Sequence, residues 1–173
     1  MELLEGGSLK DLIIQRYLDK NDYLFLEEEC SLIIKGIFEG LKYLHSLNIT
    51  HRDIKPGKIF LEKLENILLS KKGCLKNIKI CDFGLSTNLD DSESEKCGTL
   101  IYMAPELILE QPYNESIDLW ACGFVLYILC SGGIHPVYLN EHNSKEYQEC
   151  LKNVQGWEFP EKFPMYLIDN LID

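Results

Sequence analysis

Between Glu27 and His45, apolar residues fall at Ile33, Ile37, Leu41 and Leu44, in steps of four, four and three. That spacing marks one face of a long α-helix, and Glu27-Glu28-Glu29 supplies an acidic first turn that suits a helix N-terminus. A second pattern runs from Ser116 to Cys130, where nearly every side is apolar and Gly132-Gly133 follows. It predicts a central buried helix, bounded at 115–132 and stopped by glycine. Between them, Ile67-Leu68-Leu69 and Ile78-Lys79-Ile80-Cys81 read as two short strands joined by the turn-like Lys71-Lys72-Gly73. Asp90 to Lys96 is polar throughout and reads as a loop. Ser144 to Val154 predicts a modest amphipathic helix, and Met165 to Asp173 opens a further helical pattern that stops inside an element. The sum is a mainly α fold with a small β-hairpin.

Composition narrows the function classes. The 173 residues are 46% hydrophobic and 26% charged, which fits a globular chain and not a disordered one. Lys and Arg number 17 against 28 Asp and Glu, a net charge of −11. Such a surface repels nucleic-acid phosphates and anionic lipid, so neither nucleic acid nor a membrane is expected as partner. A basic peptide or a metal-neutralised phosphate ligand remains compatible. The seven cysteines are odd in number and contain no CxxC pair. Reduced thiols in the cytosol or the nucleus are the expectation, with no zinc site or disulfide framework. The uncharged run Leu119 to Ile134 has 16 residues, short for a membrane span.

The chemistry sits in four motifs that occur in a fixed order. His51-Arg52-Asp53-Ile54-Lys55-Pro56 follows the long helix, and Asp82-Phe83-Gly84 follows the second strand. Ala104-Pro105-Glu106 comes next, and Asp118-x-Trp120-x-x-Gly123 opens the buried helix. Any one of these triplets occurs by chance; the ordered set, each in its local context, does not. The chain resembles the eukaryotic protein-kinase family, serine/threonine type. His-Arg-Asp-Ile-Lys-Pro, Cys97-Gly98-Thr99 and Trp157-x-Phe159-Pro160 look most like the calcium/calmodulin-dependent kinases.

The resemblance implies a C-terminal kinase lobe over residues 1–173, with the N-terminal lobe and the last helices missing. Its parts would be a hinge at 1–8, a catalytic loop at 51–66, an activation segment at 82–106 and the central helix. The implied cofactors are ATP and Mg²⁺, and the implied substrate is a Ser- or Thr-bearing protein or peptide, basic ones included. Asp53 would orient the substrate hydroxyl and accept its proton, and Lys55 would offset γ-phosphate charge. Asp82 would hold Mg²⁺, with Gly84 permitting the backbone turn behind it. His51 and Phe83 would stack in an internal hydrophobic column, and Asp118 would bind the catalytic-loop backbone from below. Arg52 would pair with a phosphorylated activation loop, and Thr99 would contact Asp53 and Lys55. In the hinge, Met1 would be the gatekeeper, the Glu2 carbonyl and Leu4 amide would pair with adenine, and Ser8 would lie near the ribose. Leu68 joins the cofactor site on the same grounds. Glu106 would ordinarily pair with a later arginine.

The catalytic loop departs from the family pattern. Direct counting puts Lys58 where a metal-binding asparagine belongs, and a cation there would repel metal. Eight residues later comes Glu65-Asn66-Ile67-Leu68-Leu69, so removing Gly57 to Leu64 leaves HRDIKPENILL. Asn66 is therefore the expected metal asparagine and 57–64 an insertion, compatible with 24 retained intron nucleotides. No Gly-rich loop or Val-Ala-x-Lys strand is present in these residues. The isolated chain is accordingly expected to be inactive. Glu95 stands where related kinases carry the activating phosphothreonine; either it pairs with Arg52 or it is one more solvated acid of the Asp90–Lys96 run, with Ser92 or Ser94 as other candidate switches. A non-catalytic pseudokinase or scaffold lobe is the alternative function, and a generic acidic interaction domain a more distant one.

Overall fold

The computed structural model describes residues 4–19, 24–56, 66–88, 96–133, 135–136 and 144–152. The readings at Met1, Glu2, Gly57–Leu64, Glu65, Ser92, Ser94, Glu95, Val154, Trp157–Pro160 and Met165–Asp173 lie outside the described residues.

Helix α1 (Leu9–Leu18) begins at a capping box: Ser8 Oγ accepts from the Asp11 amide at 3.0 Å, and Asp11 Oδ2 accepts from the Ser8 amide at 3.0 Å. Its buried residues are Leu9 and Ile13. Helix α2 (Glu27–Ser46) buries Cys30, Ile33, Ile37 and Leu41, while Leu44 is only partly covered. Arg16 joins the two helices. Its guanidinium donates to both carboxylate oxygens of Glu29, donates to the Leu24 carbonyl at 3.2 Å and lies 4.4 Å from the Phe25 ring centre. Burial pushes the Glu29 carboxyl up, but Arg16 and the Leu26 amide outweigh it and leave the group below its ordinary value.

The expected hairpin is present. Strands β2 (Ile67–Leu69) and β3 (Ile78–Ile80) pair antiparallel, with Leu68 opposite Lys79. The ladder continues through Cys81 N to the Asn66 carbonyl at 2.9 Å, which carries the chain straight into Asp82. Gly6 and Gly7 lie along β2, where Leu69 N donates to the Gly7 carbonyl at 2.9 Å. A Cβ on Gly6 would stand 2.3 Å from the Leu69 carbonyl oxygen, so that approach needs glycine. A second ladder was not expected: β1 (Ile49–Thr50) pairs with β4 (Thr87–Asn88). Two-residue strands are too short to show any alternation of apolar and polar positions.

A 3-10 turn at Leu100–Tyr102 leads to the short α3 (Pro105–Ile108) and then to α4 (Ser116–Cys130). Nine residues of α4 are buried, Asp118 among them, and only a narrow strip at Ser116, Leu119 and Gly123 is exposed. Helix α4 ends as its glycines require. Gly132 takes φ 72°, and Gly133 N donates to the Ile128 carbonyl at 2.8 Å, closing a Schellman cap. Helices α2 and α4 pack antiparallel: the C-terminal His45 meets Asp118 at the start of α4, and Cys30 meets Cys130 at its end. Helix α5 (Ser144–Lys152) buries Tyr147, whose hydroxyl donates toward the Ile101 and Met103 carbonyls at 3.1 and 3.2 Å. No helix among the described residues is long and apolar enough to cross a membrane.

Candidate active site

The site is built where α2, the hairpin and the start of α4 converge. Asp118 is 1% exposed and organises the loop above it. Its Oδ2 accepts from the His51 amide and its Oδ1 from the Arg52 amide, both at 2.9 Å. His45 Nε2 lies 2.9 Å from the same Oδ2. Three groups therefore converge on one buried carboxylate, which offsets the cost of burying its charge. The clamp holds Arg52 at φ 69°, a left-handed conformation that costs a non-glycine residue about 1 kcal/mol or more.

That backbone kink presents Asp53. Asp53 Oδ1 accepts from the Thr99 amide at 3.1 Å and the Thr99 hydroxyl at 2.8 Å, while Oδ2 faces Lys55 Nζ at 2.8 Å. Lys55 Nζ also donates to Thr99 Oγ1 at 2.6 Å. Asp, Lys and Thr thus form a closed triangle, with Lys55 4% exposed and compensated on two sides. Gly98 makes the Thr99 approach possible. It has φ 103°, and a Cβ there would sit 2.5 Å from the Arg52 carbonyl oxygen.

Asn66 is drawn into the same loop from eleven residues beyond Lys55. Its Oδ1 accepts from the Lys55 amide at 3.0 Å, and its Nδ2 donates to the Asp53 carbonyl. The side chain is 1% exposed, and Oδ1 keeps one lone pair beyond the bond to Lys55. His51, fully buried, stands within 3.0 Å of the Cys81 carbonyl through Nε2 and within 3.4 Å of the Asp53 amide through Nδ1. A carbonyl only accepts, so Nε2 carries the hydrogen and Nδ1 is the acceptor. His51 also meets Phe83 edge to face at 5.3 Å between ring centres, although Phe83 itself is 47% exposed.

The Asp82 turn is more open. Asp82 is exposed, and its Oδ1 accepts from the Gly84 amide at 3.3 Å. The left-handed residue here is Asp82, at φ 61°, and not Gly84, which corrects the expectation that glycine freedom makes the turn. Aspartate tolerates this region because its short carboxylate bonds the backbone two residues on. Gly84 instead leaves room for that carboxylate, since a Cβ would lie 3.2 Å from Asp82 Oδ1.

Ser8 is 2% exposed and caps α1 through Asp11, so its hydroxyl oxygen accepts at a helix end, a role the sequence reading did not assign. Leu68 lies beside it through an isolated antiparallel bridge, and Leu4 is partly buried just upstream. Arg52 Nε donates to the Leu85 carbonyl at 2.6 Å and Nη1 to the Tyr113 hydroxyl at 2.9 Å. Glu106 lies in the first turn of α3, partly buried. Sequence reasoning missed His45, Gly98, Tyr113 and Tyr147. A histidine six residues before His51, at the end of an amphipathic helix, was the available signal for the first; the phenols left none.

The whole chain, not only these loops, was compared with known proteins. Residues 1–169 match the protein kinase domain family. The chain belongs to the protein kinase family. Among similar proteins is MAP kinase-activated protein kinase 2 of Oryctolagus cuniculus, 38% identical over 144 residues, covering 82% of this chain and 36% of that protein. Serine/threonine-protein kinase H1 homolog of Danio rerio is 36% identical over 156 residues, covering 88% of this chain and 33% of that protein. The kinase chain described here thus spans about a third of the length of these curated relatives.

Proposed function

We propose that this chain is the C-terminal lobe of a kinase domain that transfers the γ-phosphate of ATP to a Ser or Thr hydroxyl of a protein. The hinge at 1–8, the catalytic loop at 51–66, the activation segment at 82–106 and the central helix at 115–132 are its working parts. The single observation that carries the reading is the Asp53–Lys55–Thr99 triangle, set on a backbone clamped by Asp118. In-line phosphoryl transfer requires positioning and charge neutralisation above all, and this triangle provides a fixed carboxylate beside a fixed cation.

Bound Mg²⁺-ATP supplies the phosphoryl group and the cation that screens its charge. The residues present fit that ligand: an exposed Asp82 carboxylate and the Asn66 amide oxygen are the hard oxygen donors Mg²⁺ prefers. Among the described residues no cluster of three or more His, Cys, Asp or Glu forms a metal site of its own. Such a site fits Mg²⁺ held by one or two side chains together with phosphate oxygens. Asp53 orients the acceptor hydroxyl and takes its proton. Lys55 holds Asp53 in place and offers positive charge to the group in transfer. Thr99 fixes the carboxylate from the activation-segment side. The net charge of −11 favours basic substrates.

The test is γ-phosphate transfer to Ser/Thr peptides by the longest protein isolated from the natural source. The reading expects transfer that depends on Mg²⁺ and falls by 10³-fold or more, roughly, in Asp53→Asn, since a positioning base of this type is worth about that much. The 173-residue chain expressed alone is expected to give none. Absence of both nucleotide binding and transfer in the natural protein would establish the pseudokinase alternative.

A further inference from the structure

The far end of the α2–α4 pair holds two thiols that the proposed reaction does not use. Cys30 lies in the first turns of α2 and Cys130 is the last residue of α4. Their Sγ atoms face each other at 3.7 Å across 100 residues of sequence. Both are buried, at 2% and 1% exposure, and all seven cysteines are unbridged. A disulfide needs about 2.05 Å between sulfurs. Each Sγ therefore has to move by less than about 1 Å, within reach of a small side-chain rotation. The pair is also set at a helix end. Leu26 is exposed at the start of α2, four residues before Cys30, and local opening of that turn, with release of the Arg16–Glu29 pair and of the Glu29 cap on the Leu26 amide, is the route by which a small oxidant reaches the thiols.

We propose that Cys30 and Cys130 form a reversible, oxidant-driven disulfide that staples α2 to α4. The oxidant is hydrogen peroxide. One thiol gives up its proton and its sulfur attacks the peroxide O–O bond, yielding a sulfenic acid and one water. The second thiol displaces the sulfenic oxygen as a second water, and the S–S bond forms. Two thiols are oxidised by two electrons, and one peroxide is reduced to two waters. A low-molecular-weight dithiol returns the pair to the reduced state.

The consequence is mechanical. The opposite end of the same helix pair is tied by His45 and Asp118, the residues beneath the catalytic loop. Oxidation would fix both ends of one antiparallel pair. Closing a loop of 100 residues restricts the unfolded chain strongly. The melting temperature is expected to rise by about 5–10 °C for a domain of this size.

The experiment treats the folded, reduced chain with hydrogen peroxide, removes the peroxide, unfolds the chain in denaturant with an alkylating agent present so that every remaining thiol is blocked, and maps peptides without reduction. The expected result is a Cys30–Cys130 linked peptide, accompanied by a raised melting temperature, both reversed by dithiothreitol. Cys30→Ala should lose the rise while Cys74→Ser keeps it. If Cys30→Ala does not fold, the wild-type peptide map alone decides. Recovery of Cys30 and Cys130 as separately alkylated or singly oxidised peptides, while Cys74, Cys81 or Cys97 have reacted, would overturn the proposal.

Discussion

The loop that carries Asp53 and the Asp82 turn lie next to each other and are held in opposite ways. In the loop, every chemically interesting side chain is tied to another element: Asp53 to Thr99 and Lys55, Asn66 to two backbone groups, and Asp118 to two amides and His45. In the turn, the Asp82 carboxylate has a local bond to Gly84, and Phe83 is half exposed while leaning on His51. Both regions contain a non-glycine residue in the left-handed region, Arg52 and Asp82. Only the first is over-determined by a buried carboxylate. Under the proposed function, the acceptor side of the reaction is thus built into this chain, and the metal side presents an open donor.

The largest way to break that comparison is to remove one aspartate from each region. Asp118→Ala strands two backbone amides and His45 in a buried site, and should lower unfolding free energy by about 3–5 kcal/mol. Asp82→Ala should change it by less than about 0.5 kcal/mol, because an exposed side chain with one local bond is lost. Urea titrations of both variants measure the contrast, and similar losses in the two would erase it.

A smaller effect probes the contact between the loop and the activation segment. Gly98→Ala forces a Cβ against the Arg52 carbonyl at a φ of 103°. It should cost about 2 kcal/mol. A variant as stable as the parent would mean that the segment does not press on the loop.

The smallest effect serves as a control remote from both regions. Glu29→Gln weakens the Arg16 pair and should cost about 1–2 kcal/mol at pH 7. The Glu29 carboxyl is held below its ordinary value of 4.5, so its contribution is present above that pH and fades as pH falls through the lower folded value. The gap between parent and variant should accordingly shrink below about pH 4.5. A gap that persists in acid would show that shape, and not charge, was lost.

How far the sequence spoke depended on the length of each signal. Helix α4 covers Ser116–Cys130, the span its apolar run predicts, because fifteen residues and two terminal glycines leave few alternatives. The hairpin was legible from two short bounded runs, the apolar Ile67-Leu68-Leu69 and the alternating Ile78-Lys79-Ile80. Asn66 was found only by setting aside Gly57 to Leu64, and its side chain does stand against the Asp53 and Lys55 backbone. The capping role of Ser8 was legible in the three-residue spacing of Ser8 and Asp11, which is that of a capping box. The Asp82–Gly84 turn was misread because glycine is the usual left-handed residue, whereas here a carboxylate supports itself. The role of His45 in the Asp118 clamp depends on how two helices cross, a tertiary fact with no local pattern.

Backbone hydrogen exchange tests the central claim most directly, namely that the loop carrying Asp53, the proposed acceptor side, is preorganised within this chain and the Asp82 turn, the proposed metal side, is not. The amides of His51, Arg52, Lys55 and Thr99 each donate to a side chain of the site, at 2.9 to 3.1 Å. The account predicts that these four exchange slowly, with opening free energies near that of global unfolding, while the exposed Gly84 amide exchanges faster by about 10²-fold or more. Comparable, fast exchange at all five positions would contradict it.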